Sequence, residues 1–143
     1  MKTVTSGFVA TAALLGLLAA PTWTQAGTQG ASCVGIRVES MPDLGGKNQV
    51  FSATEVIDLV FKIMLAGSNE SSHIDVRVFT PNGHLFGALR VPVPDGARKV
   101  AAPPFLVAGT EIVRNSLYGK WRVEAAPEAK APPSCKATFT IRP

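Results

Sequence analysis

"FSATEVIDLVFKIMLAG" (residues 51–67) is the stretch on which the fold turns. It carries helix signals at both ends: Ser52 and Glu55 stand at capping-box spacing, and Gly67 is a helix stop. It also places Ile57, Leu59, Phe61, Ile63 and Leu65 in strict alternation. As a helix the segment would be apolar nearly all round, with only Asp58 and Lys62 to face water, and would need burial on every side. A chain of this length can hardly supply that much interior. A strand needs burial on one face and tolerates apolar residues on the other. The alternation therefore decides for a strand, with Ile57, Leu59 and Phe61 turned to a core.

The same period of two recurs on either side. Val34, Ile36 and Val38 alternate with Gly35, Arg37 and Glu39; Ile74, Val76 and Val78 alternate with Asp75 and Arg77. Trp121, Val123 and Ala125 alternate with charged residues, as do Ala137, Phe139 and Ile141 with polar ones. Each run offers one apolar face to a core and one polar face to water. Turn residues stand between the runs at 42–46, 67–69, 81–83, 94–96, 108–110 and 132–134. Short strands punctuated in this way predict an antiparallel sandwich or barrel. No internal repeat and no second domain is evident.

Thr80-Pro81-Asn82-Gly83 suits a type I turn, with proline presetting the second position and glycine favoured at the fourth. Treated as a four-residue hairpin loop, it pairs Phe79 with His84, Val78 with Leu85, Val76 with Gly87 and Ile74 with Leu89. The inward face then takes Ile74, Val76, Val78, Leu85 and Leu89. Phe79, Phe86, His84, Arg77 and Arg90 are left outside, with Phe86 opposite Arg77. The rival arrangement has the phenylalanines covered by a neighbouring loop, 94–106.

The first residues read as a secretory leader: Lys2, an apolar run from Phe8 to Ala20, then small residues at Thr24-Gln25-Ala26. Ala19 or Ala20 offers an earlier cleavage point. The apolar run is shorter than the roughly 20 residues that span a bilayer, and no later stretch qualifies as a transmembrane segment. The expected organisation is a signal peptide, 1–26, and one domain, 27–143. Removing Lys2 with the leader lowers the net charge from +4 to +3. The remaining cations are scattered, the pattern of a solvated surface and not of a nucleic-acid binder.

Cys33 and Cys135 are the only cysteines. In an exported chain an even pair reads as a disulfide. Lipidation of Cys33 fits poorly, because Gly30-Ala31-Ser32 precedes it a dozen residues beyond the apolar run. Two thiols alone cannot build a zinc site, and His73 and His84 do not stand in any finger-like spacing with them. The two histidines themselves fall at opposite ends of the hairpin, too far apart to share a metal ion.

Other chemistry is equally sparse. There is no Gly-x-Ser-x-Gly elbow, and Gly45-Gly46-Lys47 lacks the spacing of a phosphate loop. Asp58, Asp75 and Glu124 occur singly on polar strand faces, whereas a glycosidase needs two carboxylates across a cleft. Asn69-Glu70-Ser71 is a glycosylation sequon that a bacterial-looking leader leaves without use. Trp121 could be a stacking platform for a ligand, but its alternation with Val123 and Ala125 points to the core.

The strand ending in Thr80-Pro81-Asn82-Gly83, the strand entering through Gly119-Lys120-Trp121-x-Val123 and the closing Phe139-Thr140-Ile141 resemble extracytoplasmic immunoglobulin-like sandwiches. The likeness, over 73–142, is to macroglobulin domains and their fibronectin-III-like relatives. It implies an all-β, single antiparallel β-sandwich of about seven strands, used as a binding or structural module, and carries over no catalytic residue. A Cys33–Cys135 bridge would join first strand to last, unlike the inter-sheet bridge of antibody domains. The expectation is thus a secreted or periplasmic, non-enzymatic module without metal or cofactor. Its partner would be another protein or a cell-surface component, docked on Arg77, Phe79, His84, Phe86 and Arg90. A carbohydrate-binding module and a small hydrolase are the rival classes.

Overall fold

A computed structural model describes residues 31–43, 49–66 and 72–143. The expected signal peptide with its cleavage point, the 69–71 sequon and the helix stop at Gly67 lie outside the described residues. Among those described are nine strands and one short helix: β1 Cys33–Met41, β2 Val50–Ser52, β3 Asp58–Leu65, β4 Ser72–Phe79, β5 Leu85–Val93, β6 Lys99–Ala101, β7 Phe105–Leu106, α1 Glu111–Arg114, β8 Gly119–Ala126 and β9 Cys135–Arg142. They form two sheets. In the smaller one β3 lies between β1 on one side and β6 and β7 on the other; the larger runs β2-β9-β8-β4-β5.

The nine strands trace seven lines. β1 and β2 are consecutive pieces of the first line: β1 pairs antiparallel with β3 in the smaller sheet, and β2 pairs parallel with β9 in the larger. β6 and β7 are likewise consecutive pieces along one edge of β3. In the constant-type immunoglobulin division the fourth strand sits with the first, second and fifth. Here β5 instead lies beside β4 on the larger sheet. The result is an immunoglobulin-like β-sandwich with three lines facing four.

The 51–67 stretch is not one strand but two strands and a turn. Its helix signal is spent on that turn, where the Glu55 and Val56 N–H groups donate to Ser52 O at 3.1 and 3.0 Å. The alternation then holds from Leu59 to Leu65, with Leu59, Phe61 and Ile63 wholly buried. Ile57 departs from the expectation. The chain is still leaving the turn there, Val56 takes the inward position, and Ile57 is exposed.

Phe61 and Phe139 meet across the sheets at 5.7 Å between ring centroids, and Trp121 stacks on Phe139 at 6.2 Å. Trp121 is fully buried, and its indole N–H donates to Leu117 O at 3.0 Å, so its one polar atom is satisfied inside the core. Ile74, Val76, Val78 and Val123 complete the expected core.

The hairpin is where expected, but its register is not. Gly83 (φ 81°) takes the left-handed conformation and donates to Thr80 O at 2.9 Å; Thr80 N donates back to His84 O at 2.9 Å. Phe79 pairs with Leu85, but Val78 pairs with Gly87, Val76 with Leu89 and Ile74 with Val91. One extra residue on β5, Phe86, is a bulge that separates the two registers. It reverses the faces near the turn: Leu85 is exposed, and Phe86 turns inward onto Phe105 and Trp121. The turn itself rests on the start of β8. A side chain at Gly119 (φ 131°) would meet the Pro81 ring at 3.1 Å.

Cys33 and Cys135 form a disulfide with Cα atoms 5.5 Å apart, within the range that a bridge requires. It joins first strand to last as expected. Because β1 and β9 belong to opposite sheets, however, it is an inter-sheet bridge, which corrects the contrast drawn with antibody domains. With its sulfur in the bridge, Cys33 has no thiol to carry a lipid.

Candidate functional site

The outer face of the larger sheet carries four of the six ion pairs found among the described residues. Asp75 and Glu124, on β4 and β8, are nearly buried there, which costs free energy unless cations and donors compensate. Arg90 lies directly opposite Asp75 and grips it with two bonds, Nε to Oδ1 at 2.9 Å and an NH2 group to Oδ2 at 3.1 Å. The Arg90 hydrogen bond holds the Asp75 carboxyl below its ordinary pKa, against the opposing effect of burial. The same contact raises the pKa of Arg90. Glu124 pairs with Arg122 at 2.9 Å and with Arg77 at 3.5 Å.

The β8–β9 loop lies over these pairs. Arg77 donates to the carbonyls of Ala129 and Ala131 at 3.2 and 3.3 Å. Ser134 anchors the far end, accepting from Cys33 N at 3.1 Å and donating to Ala125 O at 3.2 Å. Arg77, itself paired with Glu124, thus fastens a proline-containing loop to the sheet. A shallow depression beside the loop is lined by His73, Arg90, Glu128, Ala129 and Lys130. No group of three or more potential metal ligands occurs among the described residues.

The five residues singled out for docking are therefore dispersed. Arg77 lies under the loop, its side chain about one-fifth exposed. Arg90 is exposed but bound to Asp75. Phe86 does not face Arg77, whose partner on β5 is Ala88. It packs instead against Trp121 and Phe105 at 5.1 and 5.6 Å. The alternative cover, a segment within 94–106, is realised for Phe86 by Phe105. His84 is exposed at the turn.

Phe79 remains on the outer face, and a different arginine has come to it. Arg122, its partner across β4 and β8, holds its guanidinium 4.4 Å from the ring centroid. Beside it on β5 stands Leu85, 56% exposed. Phe79, Leu85 and Arg122, with His84 at the tip, make one contiguous corner. Neither Leu85 nor Arg122 was legible as part of it, because the first required the bulge and the second the β4–β8 pairing.

No protein-family model matches the chain, and no curated protein matches it. Among solved structures, an immunoglobulin-like protein from Pseudomonas aeruginosa is similar in fold, covering 81% of this chain and 99% of its own, at 14% identity and a TM-score of 0.48. The assignment of an immunoglobulin-like sandwich rests on the two sheets and their strand order. Among the described residues no helix is long and apolar enough to cross a membrane.

Proposed function

We propose that the protein is an exported, non-enzymatic β-sandwich module that binds another protein or a cell-surface component through the corner formed by Phe79, Leu85, Arg122 and His84. The observation that carries this reading is the Arg122–Phe79 pair beside an exposed leucine. An aromatic ring, an arginine and an aliphatic side chain on an open strand face are the composition of a binding hot spot. Export is supported by the leader-like residues 1–26 and by a disulfide formed from the chain's only two cysteines, chemistry that belongs to an oxidising compartment.

The rival classes find less support. A sugar platform needs open aromatic faces, yet Phe86 and Trp121 face the core and Arg122 occupies one face of Phe79. A glycosidase needs two carboxylates opposed across a cleft, whereas Asp75 and Glu124 lie on a sheet face and are each held by arginine. The test is capture of envelope components of the source cell on the immobilised protein. Phe79→Ala with Leu85→Ala should abolish capture of a saturable partner while leaving the melting temperature within a few degrees. Undiminished capture by this double variant would refute the corner as the docking face.

A further inference from the structure

A second surface, on the smaller sheet, combines exposed apolar side chains with an unanswered charge. Met41, Asp58 and Leu106 lie side by side across β1, β3 and β7, so their side chains leave the same face of the sheet. Ile57 adjoins them: its N–H donates to Met41 O at 3.1 Å, and its carbonyl accepts from Val107 and Ala108 at 2.9 and 3.1 Å. Met41 is 51% exposed, Ile57 60% and Leu106 58%. Of five large apolar residues exposed among those described, these three stand together, while Val34 and Leu85 lie elsewhere. Single exposed apolar residues are ordinary, but a contiguous group marks an interaction surface.

Asp58 tells what chemistry the surface fits. The described strands carry four carboxylates: Glu39, Asp58, Asp75 and Glu124. Glu39 is paired with Lys62 and Arg37, Asp75 with Arg90, and Glu124 with Arg77 and Arg122. Asp58 alone among them has no ion-pair partner among the described residues, and its Oδ1 is shielded from solvent without a hydrogen bond. In a chain of net charge +4 that is an unexpected omission. A partner supplying both an apolar side chain and a cation would complete the row.

We infer that the Met41–Ile57–Leu106 surface docks a segment of another protein in which an apolar side chain is flanked by lysine or arginine, the cation answering Asp58. A symmetric pairing of two copies through this surface would bring two Asp58 carboxylates together near the axis. An anionic membrane surface would repel the same carboxylate. Both occupants are disfavoured by charge. The surface is separate from the Phe79 corner, which lies on the other sheet, and stands or falls independently of it.

The probes are two short synthetic peptides, one alternating leucine with lysine and one alternating leucine with glutamate, titrated into the isotope-labelled protein and followed by amide chemical shifts. The leucine–lysine peptide should perturb residues 40–42, 56–58 and 105–107 and bind about fivefold tighter than the glutamate peptide, the scale of one partly exposed ion pair. Asp58→Asn should bring the two affinities together, and Leu106→Ser should weaken both, each variant keeping the unperturbed spectrum elsewhere. Equal affinities in the unaltered protein, or shifts confined to other surfaces, would overturn the inference. So would self-association through this row that Leu106→Ser abolishes, since the occupant would then be a second copy.

Discussion

Replacing Phe86 by alanine separates a structural side chain from a binding one. In the fold described, the Phe86 ring meets Trp121 and Phe105 edge-on at centroid distances of 5.1 and 5.6 Å and is half-buried. Truncating a fully buried phenylalanine costs about 3–5 kcal/mol. Half-burial reduces the transfer part of that cost. The two aromatic contacts, each worth about 0.5–1.5 kcal/mol, are lost in full. The expected loss for Phe86→Ala is therefore about 2–3 kcal/mol, read as a lower midpoint in urea denaturation. For a domain of this size it corresponds to a fall of roughly 10 °C in melting temperature. Phe79→Ala is the matched control. Its ring is partly exposed and its specific contact is the Arg122 guanidinium, worth about 0.5–1 kcal/mol at such a site. The two variants should thus differ by at least about 1 kcal/mol in stability and in the opposite sense in partner binding. A loss below about 0.5 kcal/mol for Phe86→Ala, the range of an ordinary surface substitution, would refute the bulge and the inward turn of Phe86.

Two further outcomes follow from the bridge and from the buried carboxylate. The thiols of Cys33 and Cys135 should resist alkylation in the folded, non-reduced protein. Replacing both by serine should cost about 4–5 kcal/mol on the chain-entropy account of a loop of about 100 residues, measured by urea denaturation of the two forms. Because Asp75 is held below its ordinary pKa by Arg90, its contribution to stability is present above the unfolded carboxylate value of 3.8 and is lost as pH falls through the lower folded value. Asp75→Asn should therefore flatten the acid limb of the stability–pH profile below about pH 4, and an unchanged acid limb would show that the pair adds nothing.

The fold was legible because period-two alternation survives wherever one face of a strand is buried. Leu59, Phe61, Ile74, Val76, Val78, Trp121, Val123 and Phe139 are all found inside, as the pattern requires. The exceptions share a cause: they lie where a strand begins or is interrupted. Ile57 continues the alternation on paper, but the chain is still in the Ser52–Val56 turn, so Val56 takes the inward place. Leu85 and Phe86 exchange faces because one bulged residue shifts the phase of everything between the turn and Gly87. Phase, unlike period, is set by the turn and its surroundings and is not written in the strand itself. The Gly83 conformation and the apolar space offered by Phe105 and Trp121 favour the bulge, and neither is visible from residues 78–87 alone.

The candidate site moved for the same reason, and the move is informative about how this sheet uses arginine. Composition alone marks Arg77 and Arg90 as binding residues, since arginine beside phenylalanine is common at interfaces. Across-strand neighbours decide otherwise. Asp75 stands opposite Arg90 and Glu124 opposite Arg77, so both guanidiniums are drawn onto buried carboxylates, and Arg77 also donates to the loop carbonyls of Ala129 and Ala131. A buried carboxylate without its cation would be strongly destabilising, so Arg90 is committed to Asp75, and Arg77 could not be drawn away without losing its bonds to the loop. Arg122 differs. It is ion-paired with Glu124, yet its side chain is 43% exposed and its guanidinium reaches over Phe79. Glu124 keeps Arg77 as a second cation, so a partner that drew Arg122 toward itself would leave the carboxylate still paired. That redundancy leaves Arg122 less committed than Arg77 or Arg90, with the Phe79 ring beside its guanidinium.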